Sequence, residues 1–458
     1  MSQRSATVFS ARPSAAYVLL MALLLVLWIA GGASRADTYG QIVVRFAAWL
    51  ALVAGVITVE RPVRSRSRAV TWLLAAAIGV AALQLIPLPP MVWQSLPGRA
   101  MFVDAATLSG QPQPWRPWTI VPDATWNALS SLIVPLTVLL LASRIRPSER
   151  ATLPGALLLL ITASTLLGLL QFSGGNLSNP LVNDTPGEVS ATFANRNHFA
   201  LFVAFGCAVA PVWAFLHGRR AGWRGPVALG LLPLFVLIIL ASGSRAGMIV
   251  GLIGLAAGLI ISWRPLKKEF GRYPRWVPFA LVATLAITIV LLVGLSVAAD
   301  RAASISRTLA VDTGQDMRQR ALPTVLHMIG IYFPAGTGLG TFDPMFRIHE
   351  PFKLLKLTYF NHVHNDYLEI VLDAGIVGLV VLGAAIGWWL WATFVAWRGT
   401  DRLARLGSAM LFQVLIASLV DYPARTPLIM ASIIVAALWL SGDGERERPA
   451  LPTDESRL

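Results

Sequence analysis

Long, nearly uncharged apolar runs separated by polar connectors dominate this chain. A helix needs about 20 apolar residues to cross the hydrocarbon core of a bilayer. By that measure the runs near 15–33, 41–59, 69–88, 127–143, 152–172, 197–216, 226–242, 246–263, 277–298, 366–396, 405–421 and 426–441 predict twelve membrane-spanning helices, the fourth, seventh, eleventh and twelfth being short. The expected fold is all-α, a polytopic membrane domain over 1–441 with a large loop, 299–365, between helices 9 and 10. The first run follows Arg4 and Arg12. It outlasts the roughly 7–15-residue apolar core of a cleaved signal peptide, so it reads as a retained helix.

The connectors sort by charge. Arg61, Arg64, Arg66 and Arg68 fill one; Arg144, Arg146 and Arg150 another; Arg219, Arg220 and Arg224 a third. Arg264, Lys267, Lys268, Arg272 and Arg275 form the fourth basic group, and Arg398, Arg402 and Arg405 the fifth. With twelve spans all five lie on the side of the N-terminus, which the positive-inside rule makes cytoplasmic. The tail 442–458, rich in Glu, Arg, Pro and Asp, is expected to be a disordered cytoplasmic end. The external side then holds 89–126, 173–196, the turn at 243–245, 299–365 and the turn at 422–425. It carries Arg196, Arg245, Arg301, Arg307, Arg318, Arg320 and Arg425, which loop topology does not explain.

Composition agrees. Of 458 residues 56% are hydrophobic and 13% charged, which excludes a soluble globular protein. Sixteen Trp suit a chain crossing two membrane–water interfaces. A net charge of +14 would suit nucleic acid, but the basic residues cluster between apolar spans and form no binding stripe. The bilayer is therefore the expected partner and nucleic acid is not. The single cysteine, Cys207, lies inside a span and excludes an intramolecular disulfide and any cysteine-based metal site. No HExxH, DxD or clustered His/Asp spacing points to a metal.

The densest chemistry lies in Asn361–Gly378, where two histidines, two asparagines and three carboxylates stand at the entry to the tenth span. Polar groups at a membrane boundary are costly to bury, which marks them as functional candidates. Asn365 or Asp366 serves as the N-cap of the helix that follows. That helix is too long for the core and should project above the membrane, breaking at Gly375. His364 would then edge an external cavity, where a neutral imidazole takes a proton from a hydroxyl. The plainer reading is an interfacial histidine bonded to its loop. His362 ranks second as a loop residue, and His327 and His349 follow.

Arg245 sits in the tight turn Ser242–Gly247, where a planar guanidinium is suited to bidentate phosphate binding and the alternative is snorkelling to lipid headgroups. Arg318 and Arg320 stand near the start of an amphipathic helix running toward Phe333, an arrangement that suits an anion by dipole and charge, the plainer alternative being an exposed helix charge pair. Gly336–Gly340 follows no strand and lacks a GK[ST] ending, so it reads as a plain turn and not a phosphate loop. Phe193–Ala200, with Arg196 and Asn197, and Asp421–Arg425, with Arg425, are boundary turns that either contact sugar or phosphate or only anchor their helices.

These residues resemble the O-antigen ligase and polysaccharide polymerase superfamily of bacterial inner membranes. His364, Asn365, Gly375 and Gly378 fit the ligase signature of His, then Asn, Ser or Gln, nine residues, Gly, two residues, and Gly, Thr or Tyr. Ser242–Gly247 is similar to the family's Ser-Arg-Ala-Gly turn, and Arg318 precedes a Pro-x-Gly-x-Gly segment, here Pro334–Gly338. Phe193–Ala200 is similar to its Asn-rich loop. The resemblance covers about 190–440.

The resemblance implies an inner-membrane enzyme, its active site facing the periplasm, that moves a glycan from an undecaprenyl-diphosphate carrier to an acceptor hydroxyl with inversion. It implies no cofactor and no metal. His364 would be the base, Arg245, Arg318 and Arg320 the diphosphate ligands, and Arg196, Asn197, Asn365 and Arg425 substrate contacts. Leu85–Pro90, Leu96–Arg99 and Asp421–Arg425 look more like exopolysaccharide polymerases than ligases, so the acceptor stays open among lipid A–core, a lipid-linked repeat unit and a protein hydroxyl. The rival reading is a transporter or flippase, which would place ionisable groups at mid-bilayer on broken helices.

Overall fold

The computed structural model describes residues 12–58, 68–274 (less 176, 184, 186, 217 and 219), 276, 283, 287, 317–355 and 360–442. Among these the chain is helical apart from one two-stranded pairing, Pro87↔Pro117 and Leu88↔Arg116. Helices α1 (Ala15–Ala30), α2 (Tyr39–Thr58) and α3 (Arg68–Leu83) are followed by the short α4 (Pro90–Gln94) and α5 (Ala100–Leu108). Next come α6 (Pro122–Ser131), α7 (Ile133–Arg144), α8 (Pro147–Arg150), α9 (Leu153–Phe172), α10 (Arg196–Ala214), α11 (Arg224–Ala241) and α12 (Arg245–Phe270). The described chain ends with α13 (Met317–Tyr332), α14 (Phe342–His349), α15 (Asp366–Arg398), α16 (Arg402–Ala417) and α17 (Pro427–Leu440).

Seven of the described helical stretches, counting α6 with α7 and α8 with α9, are long and apolar enough to cross a membrane, and α1, α3 and α17 are shorter apolar helices. Eleven of the twelve expected spans coincide with helices; the ninth, 277–298, lies outside the described residues apart from two positions, as do Arg301, Arg307 and the tail beyond 442. The boundaries differ where local chemistry competes. The third span stops at Leu83, short of Pro87 and Pro89, and the segment Gln84–Leu88 turns into the strand pairing. The fourth is interrupted at Leu132 between α6 and α7. Arg264, Lys267 and Lys268, expected in a connector, extend α12 by two turns.

The centre of the bundle is α10, which packs against α9, α11, α12 and α16 and is buried over nearly its whole length. Small residues allow this. A Cβ on Gly247 would lie 2.4 Å from Ala200 Cβ, one on Gly254 2.6 Å from the Ala204 oxygen, and one on Gly258 2.8 Å from the Ala208 oxygen. Facing stripes of glycine and alanine therefore bring the two backbones together, the usual means of close helix packing in lipid. Gln413 of α16 closes the junction by donating to the Ala204 and Val250 oxygens, 2.9 Å each. Outward faces stay apolar, as Ile42, Phe46, Trp49, Val53 and Val56 of α2 show, which fits contact with hydrocarbon.

A smaller lobe stands at one end. Ala321, Val325, Met328 and Tyr332 form the buried stripe of α13, as its amphipathic pattern predicts. They pack with Phe342, Met345 and Phe346 of α14 and with Val363 and Leu372. Segment 84–125 braces this lobe. Arg99 is buried and donates to the Trp118 oxygen (2.8 Å) and the Gly336 oxygen (3.1 Å). Burial depresses its guanidinium to about 10.

Candidate active site at one end of the bundle

Helix α15 is broken as its sequence predicts. Gly375 has φ 55° and ψ −139° inside an otherwise continuous helix of 33 residues. The break exposes two carbonyls, and the Gly336–Gly340 turn satisfies them: Thr337 N–H donates to the Leu372 oxygen (2.9 Å) and Gly338 N–H to the Asp373 oxygen (2.8 Å). The Gln84 amide adds a bond to the Asp373 oxygen at 3.1 Å. Ile376 N–H, freed by the same break, donates to the Pro334 oxygen at 3.0 Å. The glycine-rich segment thus plugs a helix break, which is how irregular backbone is tolerated at membrane depth. A Cβ on Gly375 would lie 2.0 Å from the Pro334 oxygen. Gly375→Ala combines that clash with a left-handed conformation, so it is expected to cost about 2 kcal/mol or more. A lower melting temperature of the purified protein checks this; an unchanged one would mean the break relaxes freely.

Above the break α15 carries Asp366, Glu369 and Asp373, spaced three and four residues apart and so aligned on one face. Asn365 is the N-cap: its oxygen accepts Leu368 N–H at 3.0 Å and its amide donates to the Leu419 oxygen at 2.9 Å. Both ends of this predicted substrate contact are therefore engaged within the fold. His364, just before the cap, has φ 56°, a left-handed conformation uncommon outside glycine. Its ring stacks on Phe360 at 5.3 Å and meets Tyr422 edge-on at 4.9 Å.

Asp421, in the α16–α17 turn, gathers the other candidates. Its Oδ1 lies 3.2 Å from His364 Nδ1, close enough for charge pairing but off the line of a hydrogen bond. Asn197 Nδ2 donates to Oδ2 at 2.6 Å, and His198 Nε2 lies 3.5 Å from Oδ1. Arg318 reaches the same turn, donating to the Val420 oxygen at 3.0 Å with Nη2 3.6 Å from Asp421 Oδ2. Burial alone would push the Asp421 carboxyl up, but the imidazoles of His198 and His364 outweigh it and hold it well below the usual carboxylate range. Burial, then the Asp421 charge, raises the Tyr422 phenol, so that ring stays neutral among His198, His362 and His364.

The remaining predicted residues distribute around this turn. Arg245 is exposed at the first position of α12, whose N-cap Ser244 accepts Gly247 N–H at 2.9 Å. Two residues on, Gly247 packs against Ala200 of α10, the helix whose first turn carries Asn197 and His198. Arg196 pairs with Glu188 at 3.0 Å. Arg320 donates to the Lys353 oxygen at 2.7 Å, away from Asp421. His362 Nδ1 lies 2.8 Å from Glu369 Oε1. Arg425 is 3.2 Å from Glu369, 3.4 Å from Asp366 and 3.9 Å from Asp373. Sequence reading named the turn of Asp421 without singling out its carboxylate, named His198 only within its boundary turn, and counted the three carboxylates of α15 without giving them a role. The three-and-four spacing of Asp366, Glu369 and Asp373 was a visible signal for the stripe. Nothing local marked Asp421 as a meeting point.

Fold and site together describe a multi-pass membrane protein whose polar chemistry gathers at one end of the bundle. Residues 230–383, which include Arg245, Arg318, Arg320 and His364, match the family model of O-antigen ligase. The chain is also similar to the exopolysaccharide production protein ExoQ of Rhizobium meliloti (strain 1021), 25% identical over 271 residues, covering 58% of this chain and 59% of that protein. Over residues 230–383 the chain is thus similar to the O-antigen ligase family, and the likeness to an exopolysaccharide production protein supports the same superfamily. It aligns over only about three-fifths of the length of this relative.

Proposed function

We propose that this protein transfers a glycan from an undecaprenyl-diphosphate carrier to an acceptor hydroxyl on the periplasmic face of the bacterial inner membrane. The single observation that carries the reading is Asp421, which draws His364, Arg318 and the Asn197–His198 turn into one place. Base and anion-binding candidates from separate parts of the sequence thereby meet. With Nδ1 facing Asp421, Nε2 of His364 takes the proton of the acceptor hydroxyl. The acceptor oxygen attacks the anomeric carbon, the bond from that carbon to the diphosphate oxygen breaks, and the configuration inverts. Arg245 and Arg318 stabilise the charge that builds on the departing diphosphate, with Arg320 further along the same helix. Arg196 and Asn197 border the sugar, while Asn365 holds the entry of α15.

The acceptor we favour is a second lipid-linked repeat unit, making the reaction a polymerisation of exopolysaccharide. Two features support it. The relative named above is an exopolysaccharide production protein. The Leu96–Arg99 segment, which resembles polymerases, braces the Gly336 turn through Arg99. Transport has no comparable support, since the acidic groups of the broken helix are paired with Arg425 and His362. The test is deletion in the native host with analysis of lipid-linked glycan. Single repeats accumulating on the carrier are expected. Long chains accumulating there would identify a ligase, and no lipid-linked glycan would refute the transfer reading.

A further inference from the structure

Arg425 adds a second charged link between the Asp421 turn and the entry of α15, beside the approach of His364 to Asp421. It sits on the short helical turn Pro423–Arg425, four residues after Asp421. Its guanidinium meets the acidic stripe of α15, where Glu369 and Asp373 are fully buried and Asp366 nearly so. Glu369 in turn accepts Val363 N–H at 2.9 Å, the peptide next to His364, and contacts His362 at 2.8 Å. Asp366 accepts the Ser418 hydroxyl at 2.9 Å, and its N–H donates to the Ser418 oxygen at 3.0 Å. A continuous set of contacts therefore runs from the Asp421 turn through Arg425 and Glu369 to the backbone beside His364.

We infer that Arg425 is a positioning residue that clasps the His364 loop to the Asp421 turn and so sets the imidazole against its carboxylate. The inference rests on the reading of His364 as base. It assigns Arg425 a role different from the substrate contact that its place in an external turn suggests. The physical need is plain. His364 is held in a left-handed conformation, which persists only where surrounding contacts over-determine it. Of those contacts, the Val363–Glu369 bond depends on a buried carboxylate, and a buried carboxylate needs a cation. A planar guanidinium can address several carboxylates at once, whereas an ammonium is a single point of charge.

The test uses the full chain reconstituted in lipid nanodiscs with undecaprenyl-diphosphate-linked glycan from the native host as substrate. Arg425→Lys is expected to lower kcat by about 10–100-fold while the KM for the lipid-linked donor changes little, since small misplacement of a reacting group costs that much. Asp421→Asn should also lower kcat. The double variant should lose little beyond the worse single one, because both act through one pair. A rise in KM at unchanged kcat would overturn the inference and return Arg425 to substrate binding. Losses that multiply would overturn it too, as would a normal rate in Arg425→Lys.

If Arg425→Lys does not fold, Glu369→Gln with Arg425→Gln removes one buried charge of each sign. A folded but slow enzyme supports the clasp, and wild-type kcat refutes it. Failure of both variants to fold would make Arg425 a folding determinant and end the inference. A normal rate in Arg425→Lys beside an inactive His364→Ala would remove only the clasp, whereas an active His364→Ala would remove the base reading itself.

Discussion

His364→Ala is expected to abolish glycan transfer while the protein still inserts and still binds its lipid-linked donor. The expectation rests on the imidazole lying 3.2 Å from a buried carboxylate at the entry of the broken helix. A general base contributes about 10²–10⁴-fold, so residual transfer should sit near the limit of detection. His362→Ala should lose much less: its ring faces Glu369, and Val363 N–H still anchors that carboxylate. The measurement is transfer by purified protein with EDTA present, alongside donor binding. Near-normal transfer by His364→Ala would remove the base assignment, and a rise in donor KM alone would recast His364 as a binding residue.

The second large effect is expected at Arg245. Lysine keeps the charge but loses the planar fork that grips phosphate by two parallel bonds. Charge-assisted hydrogen bonds contribute roughly 1.5–3 kcal/mol, so Arg245→Lys should lower activity by an order of magnitude or more. Arg318→Ala should also fall sharply, though for mixed reasons, because Arg318 donates to the Val420 oxygen and faces Asp421. Arg245 stands exposed at the start of α12. Full activity in both variants at normal expression would leave these arginines as lipid anchors.

Much of the architecture was legible along the chain because membrane helices are specified locally. Every backbone group must be satisfied within its own segment, so apolar length alone predicts a span. That is why eleven of the expected spans fall on described helices. The amphipathic stripe of α13, the N-cap at the start of α15 and the break at Gly375 were visible for the same reason. Proline chemistry moved the end of α3, and Leu132 interrupted the fourth span, because such local effects act within the apolar run without changing its composition.

The site divides differently. His364 could be singled out by its place before a projecting helix, and Arg245 by its place in a turn too tight to release it. Asp421 could not, because its significance lies in partners from α10, α13 and the α15 entry, which are distant in sequence. Likewise Arg425 and Asn365 were expected as substrate contacts, and their bonds into the fold, to Glu369 and to the Leu419 oxygen, could not be read from their positions. The glycine turn at Gly336–Gly340 was legible as a turn, but its role as plug for the break required α15 to be placed beside it.

The sequence by itself determined the class of protein, its succession of apolar spans and the histidine-bearing helix entry where polar residues concentrate, since hydropathy, helix capping and a glycine break are properties of short segments. Only the tertiary structure decided which polar groups meet. A buried carboxylate such as Asp421 must find its donors wherever helix packing brings them. That packing depends on the facing small residues of α10 and α12, not on any motif within the site.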